Sequence, residues 1–399
     1  MINIQFNALP NSKSTACGGQ FELHLTYDIP MLLIFSDLQK SYPLYLNLTR
    51  YIARETLCDV IVLSKTMASP FIHDLKLSGA NIFIVPSTGS ILNLKTMRSV
   101  YFLIKKSRPN SILISGTKAQ TLGIILGYIL GVPKRCFIRH YNSAHHKWNR
   151  FHWYLIDLLV NFLATEIICV SSGTGNILVS KEFVSRQKLY IIGNSIDLEL
   201  LLQLRESKSV DSYPSKNPFL NILMITRLVK EKGIETAIEA FESHLALFPN
   251  SKLRIIGQRG ELSDFVDSKL ALLPLGSAEL ITEGIDVVKS LKWADVLIHI
   301  PTSPKAESFG MVFIEGLAAG VECVFTRSGV LMENQSDNLR NFYWEVSFLS
   351  SNSVSNALES ISAGYRRNLD QKGLDLKAFS IDTILKRYAE FLLLNGFLK

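Results

Sequence analysis

Two stretches of the sequence hold charged side chains at spacings that suit a phosphorylated sugar ligand. In residues 221–241, NILMITRLVKEKGIETAIEAF, an apolar run ends at Thr226 and Arg227 follows directly. Lys232 and Gly233 then precede a helical pattern whose Ile234, Ala237, Ile238 and Phe241 share one face. In open α/β sheets ligands gather beyond the carboxyl ends of the strands, and two cations beside a helix N-terminus suit a diphosphate. The same charges also fit an ordinary solvated turn. In residues 296–320, VLIHIPTSPKAESFGMVFIEGLAAG, an apolar run leads through a Pro-rich loop to Glu307, Ser308, Phe309, Gly310 and Met311, with Glu315 eight positions after Glu307. Gly310 lets backbone approach a ligand closely, and the free N–H groups of Ser308 to Met311 can donate to hydroxyls or phosphate. Two carboxylates are natural acceptors for vicinal hydroxyls, one serving a sugar and one a ribose. The competing reading makes Glu307 a helix cap and Glu315 a surface residue.

A third stretch, IRHYNSAHHKWNR at 138–150, places His140 directly after an apolar run, with His145 and His146 close behind. Three histidines raise the question of zinc, but no carboxylate or cysteine stands at ligand spacing, so no metal is expected. Trp148, Phe151, Trp153 and Tyr154 adjoin the cations of this stretch and read either as an interfacial anchor or as core. Ser171-Ser172-Gly173-Thr174-Gly175-Asn176 is Gly-rich after a strand but lacks a phosphate-binding lysine, and reads as a cap and turn.

The elements that position these residues alternate along the chain. Short apolar runs, among them Met31–Phe35, Asp59–Leu63, Asn81–Val85, Ser111–Ile114, Arg135–Ile138, Ile167–Val170 and Leu189–Ile192, are separated by patterns of helical period. A second alternation begins at Asn221–Ile225 and continues through Lys252–Ile256, Val296–Ile300 and Cys323–Phe325. Two α/β domains with parallel sheets and a cleft between them follow from this pattern. Residues 1–204 form the first domain, with 1–30 an unassigned extension. The polar, proline-bearing 205–218 reads as a linker, 219–380 as the second domain, and 381–399 as a terminal helix able to pack back across the interface.

At 399 residues, 47% of them hydrophobic and 19% charged, the chain has material for two cores and no disordered tract. Five scattered cysteines suit neither a disulfide framework nor a zinc site, and fit a reducing cytoplasm. No signal peptide or bilayer-spanning run is visible, so the expected location is cytoplasmic, at most peripheral on a membrane. No nucleic-acid-binding module is visible either. The net charge of +7 is uneven: residues 1–210 carry 22 Lys+Arg against 12 Asp+Glu, and the remainder is at −3. A basic first half calls for an anionic partner. With Lys134, Arg135, Arg139, Lys147 and Arg150 crowded around Trp148, Phe151 and Trp153, the expectation is an anionic membrane surface, which would bring the cleft to a lipid-linked acceptor.

RLVKEKG at 227–233 and ESFGMVFIEGLAAG at 307–320 together resemble the two signature blocks of the retaining glycosyltransferases of family four, which have the GT-B fold; the second block keeps the family's E-x7-E spacing. Asn194-Ser195-Ile196-Asp197 and the Thr326, Gly329, Glu333 pattern add weaker matches. The resemblance is good over 190–335 and loose over 31 to about 390. It implies that Arg227 and Lys232 grip the donor diphosphate, that Glu307 contacts the donor sugar and Glu315 the ribose, and that His140 lies near the transfer centre. It also implies a nucleotide-diphosphate sugar as co-substrate, no metal or other cofactor, and a glycan or lipid-linked sugar as acceptor. One departure stands out: the family's Gly-Gly loop after the first strand is replaced by Ser36-Asp37-Leu38-Gln39-Lys40-Ser41. A non-catalytic glycan-binding protein with a relic donor site and a nucleotide-sugar 2-epimerase are the alternatives.

Overall fold

The structure is a computed structural model that describes residues 30–36, 42–87, 93–142, 151–207, 219–367 and 374–398. The extension 1–29, the loop 37–41, His145, His146, Lys147, Trp148, Arg150 and most of the expected linker (208–218) lie outside the described residues.

The first sheet holds seven strands: β1 (Met31–Ser36), β2 (Cys58–Ser64), β3 (Asn81–Pro86), β4 (Ser111–Ser115), β5 (Lys134–Arg139), β6 (Glu166–Cys169) and β7 (Leu189–Ile191). Their order is β3-β2-β1-β4-β5-β6-β7, with every pairing parallel. β1 and β4 are buried along their whole length, as expected for a sheet covered by helices on both faces. The second sheet holds β8 (Asn221–Ile225), β9 (Lys252–Ile256), β10 (Ala278–Ile281), β11 (Val296–His299), β12 (Glu322–Phe325) and β13 (Trp344–Glu345), ordered β10-β9-β8-β11-β12-β13 and again all parallel. Sequence reading finds neither β10 nor β13. Both are short edge strands, only partly buried in β10 and two residues long in β13, so neither gives an apolar run.

Each sheet reverses its strand order once, at β1/β4 and at β8/β11, and the crevice beyond the carboxyl ends at such a point is where ligands bind. Helix Leu198–Ser207 runs into the first residues expected to be linker. At the other end, helix Ile381–Leu394 packs on the first domain against helix Pro43–Glu55. The Phe391 and Tyr190 rings meet at 4.8 Å, Ser111 Oγ donates to the Phe397 carbonyl at 3.2 Å, and Ile196 N–H donates to the Phe379 carbonyl at 3.0 Å.

The surface expectation for Arg139 is corrected here. Its side chain is fully buried, with Nη2 2.5 Å from Glu182 Oε1 and 3.6 Å from Asp157 Oδ2, and with the guanidinium 3.7 Å from the centre of the Tyr141 ring. As the last residue of β5 it sits beneath helices Phe151–Leu163 and Ser172–Glu182, which supply the two acids. Arg139 is an internal ion pair, not a membrane-facing cation. Lys134 pairs with Glu166 at 3.4 Å, and Arg135 spends its donors on the carbonyls of Val132, Pro133 and Leu163.

Candidate functional site

A cavity of about 400 Å³ opens where the two domains meet. His140 and Asn194 line it from the first domain; Arg227, Lys232, His299, Glu307 and the run Ser308–Val312 line it from the second. Of the residues expected from the sequence to form the site, only Glu315 is not part of this wall. It lies on helix Met311–Ala318, three and four positions after Val312 and Met311, and so on the helical face that those two residues carry into the cavity.

The backbone explains how these groups reach one place. β8 ends at Ile225 and Arg227 follows on its carboxyl edge, exposed and without an ion pair among the described residues. A 3₁₀ turn, Lys230–Lys232, then brings Lys232 back under the strand ends, where it is buried. Gly233 has φ +71, and a Cβ there would lie 2.1 Å from the Ile300 carbonyl oxygen, so only glycine lets this turn press on the loop after β11. At the second loop, Gly310 has φ +80, and a Cβ would lie 2.5 Å from the Phe313 ring and 2.9 Å from Glu307 Cγ. Any side chain there would displace Glu307. Gly310 is also the N-cap of helix Met311–Ala318 and offers no side-chain cap; the Phe313 N–H donates to the Gly310 carbonyl at 3.1 Å, and the Met311 and Val312 N–H groups remain uncapped for an anion.

Glu307 carries the densest contacts. Its Oε2 lies 2.5 Å from Lys232 Nζ and 2.9 Å from His299 Nε2, and its Oε1 accepts from Ser308 N–H at 3.2 Å. Burial raises its pKa, but the hydrogen bond from His299 and then the charge and hydrogen bond of Lys232 outweigh this and hold it at about 2. Glu307 is therefore a carboxylate at any working pH. Glu315 is the opposite case: burial, with no compensating partner among the described residues, pushes its carboxyl up to about 7. His140 is pulled down to about 4 by burial and is a neutral imidazole. Its Nε2 is 2.9 Å from Tyr45 Oη and 3.1 Å from Ser115 Oγ, and Ser115 donates to Tyr45 at 2.9 Å.

The loop around Glu307 is also held from the first domain. Asn142 Nδ2 donates to the carbonyls of Lys305 and Glu307, both at 2.9 Å, while its Oδ1 accepts from Thr174 Oγ1 at 2.8 Å. Ser171 Oγ donates to the Ser308 carbonyl at 2.5 Å, and Glu333 accepts from Ser172 N–H at 2.7 Å. The Gly-rich 171–176 segment is thus a cap and a domain contact. Sequence reading passed over Asn142, His299, Tyr45 and Ser115. Asn142 and His299 stand inside stretches already singled out, but a lone Asn or His has no partner at a fixed spacing to mark it.

Residues 206–373 match the family model described as glycosyl transferases group 1. The match lies over the second domain. Over 244 residues, 59% of this chain, the sequence is 29% identical to the capsular polysaccharide biosynthesis glycosyltransferase CapM of Staphylococcus aureus. Over 267 residues, 62% of this chain, it is 23% identical to the UDP-Gal:alpha-D-GlcNAc-diphosphoundecaprenol alpha-1,3-galactosyltransferase of Escherichia coli. The matches span 63% and 66% of those relatives' own lengths. Among solved structures, Anabaena HepE in complex with UDP and glucose superposes with a TM-score of 0.67 at 17% identity, covering 90% of this chain and 99% of that one. At that identity the likeness is one of fold, and the fold is GT-B.

Proposed function

We propose that this chain is a retaining glycosyltransferase that moves a sugar from a nucleoside diphosphate to a glycan or lipid-linked sugar acceptor. One observation carries the reading: Arg227, Lys232, Glu307 and an uncapped helix N-terminus converge on one wall of a cavity whose opposite wall holds His140. Retention without a covalent protein intermediate puts most of the barrier on the departing diphosphate, and preorganised positive charge aimed at it is the effective remedy. Arg227, Lys232 and the helix N–H groups supply that charge from the protein, so the reading calls for no metal. The intact grip also speaks against a relic site. The Escherichia coli relative is named for UDP-Gal and the HepE structure holds UDP, which supports a nucleotide-sugar donor; CapM is named for capsular polysaccharide and the Escherichia coli relative for a diphosphoundecaprenol-linked sugar, which supports a glycan or lipid-linked acceptor. A panel of UDP-, GDP- and ADP-hexoses tests this by melting temperature and by transfer to undecaprenyl-diphosphate sugars, with and without EDTA. At a hundredfold excess over Kd the matching donor stabilises the fold by about 2.7 kcal/mol. If no sugar nucleotide shifts the melting temperature and none is consumed, the reading is wrong.

The acceptor reading extends to a membrane-docking face. Along helix Phe151–Leu163, the side chains of Phe151, Leu155, Leu159 and Phe162 recur at helical spacing and stay exposed, Phe162 to 76%. Tyr128 and Ile129, on the helix packed beside it, are exposed too. No helix among the described residues is long and apolar enough to cross a bilayer. An apolar stripe on a basic domain suits partial insertion into an anionic surface. The protein is expected to co-sediment with anionic vesicles at low salt and less so at high salt. Phe162→Glu should release it without changing nucleotide affinity. Retention of the variant on vesicles, or a wild type that stays in the supernatant, refutes the docking face.

A further inference from the structure

His299 is the last residue of β11, 2% exposed, with its ring edge-on to Phe313 at a centroid distance of 4.7 Å and an interplanar angle of 78°. Its Nε2 meets Glu307 Oε2 at 2.9 Å, on the same oxygen that Lys232 Nζ reaches at 2.5 Å. Because Glu307 is a carboxylate, Nε2 must be the protonated nitrogen. In the neutral ring Nδ1 is then a buried lone pair that meets no donor among the described residues; the Ile225 backbone beside the ring favours the charged form, but burial outweighs it. A buried acceptor without a donor costs stability, whereas a leucine in this strand would pack without that cost. Packing alone therefore does not account for a histidine at this position.

We propose that His299 is a positioning residue that holds the Glu307 carboxylate in place for the donor sugar once Lys232 turns to the diphosphate. This rests on the donor-site reading given above. Two donors share Oε2, and among the described residues Oε1 accepts only from the Ser308 N–H, which leaves Oε1 with capacity for a sugar hydroxyl. When an anion draws the Lys232 ammonium away, one of the two anchors on Oε2 is lost. His299 is the one that remains, and its ring is pinned against Phe313. Being neutral, it fixes the carboxylate without cancelling the charge that the sugar hydroxyl needs as its acceptor. Lys232 and His299 thus divide the work: one answers the phosphate, the other answers the sugar.

The test is calorimetry and steady-state kinetics with UDP and UDP-glucose, or with the corresponding pair for whichever base the donor panel selects, on His299→Leu, His299→Asn and His299→Gln. His299→Leu is expected to bind the bare nucleoside diphosphate as wild type does, to bind the sugar nucleotide about tenfold more weakly, and to lose about tenfold in kcat, the scale of one hydrogen bond to a charged group. His299→Gln, whose amide reaches as far as Nε2, should recover most of both; His299→Asn, which is shorter, should not. Should the Leu variant fail to fold, the Gln–Asn contrast decides alone. Equal losses for UDP and UDP-glucose, or equal behaviour of Gln and Asn, overturn the positioning role. A wild type that binds no sugar nucleotide instead overturns the donor-site reading on which the role rests.

Discussion

Replacing Lys232 by alanine is expected to slow transfer by about 10²–10³, the usual cost of removing one preorganised donor from a charge that develops in the transition state. From sequence alone, Arg227→Ala and Lys232→Ala look equivalent, each cutting the rate and sparing the fold. The structure separates them. Arg227 is exposed and unpaired among the described residues, so Arg227→Ala should cut the rate and leave the melting temperature unchanged. Lys232 is buried and shares Glu307 Oε2 with His299, so Lys232→Ala strands a largely buried carboxylate, 14% exposed, with one donor fewer. Removing one partner of a buried pair costs about 3–5 kcal/mol in the severe cases; here His299 and the Ser308 N–H remain, and a smaller loss is expected. Lys232→Ala should therefore melt at a lower temperature than wild type, and Lys232→Ala/Glu307→Gln should regain part of the difference while staying inactive. Rates must be normalised to the folded fraction. Near-wild-type turnover in Lys232→Ala and Arg227→Ala alike would sink the diphosphate assignment.

The parts of this site that were legible in the sequence are those whose placement follows from a strand end or a helix start. Arg227 stands just after the apolar run of β8 and Glu307 at the end of the loop that follows β11, and parallel strands ordered β8-β11 put both carboxyl ends on the same edge. Gly233 and Gly310 mark backbone that no other residue can follow, and each opens a helix. What stayed hidden depends on contacts between segments far apart in the chain. Asn142 acts on carbonyls of a loop 163 and 165 positions away. Arg139 reads as one more cation beside Lys147 and Arg150 until helix Ser172–Glu182 lays Glu182 against it. Its neighbours mislead because a strand's last residue can turn inward as readily as out, and no local period records which. The proposed docking face shows the reverse: charge suggests a surface, but the exposed Phe151, Leu155, Leu159 and Phe162 stripe becomes visible only once the other face of that helix is seen to be buried.

Nucleotide binding is expected to depend on pH through Glu315. Burial, with nothing to offset it, raises its carboxyl from an ordinary value near 4.5 to about 7, and no described side chain donates to it. Two ribose hydroxyls would serve the ionised form as donors, so the nucleotide binds the carboxylate and must displace a proton at lower pH. Affinity for the bare nucleoside diphosphate should be flat above about pH 7 and fall towards tenfold per unit below it, with uptake of nucleotide releasing close to one proton near pH 6. The same shift sets the sign for stability. In the unliganded protein the folded state binds the proton more tightly than the unfolded chain, so Glu315 contributes stability that is fully present below about pH 4.5 and is lost as pH rises to about 7. Glu315→Gln should remove both effects at once: affinity at pH 8 falls by about 1.5–3 kcal/mol, the pH dependence of binding flattens, and the variant gains on wild type in melting temperature from pH 5 to pH 8. Titration calorimetry in two buffers of different protonation enthalpy reads the released proton directly. A wild type that binds the nucleotide equally well from pH 5.5 to 8, with no buffer dependence, would remove Glu315 from the ribose and leave its raised pKa a consequence of packing alone.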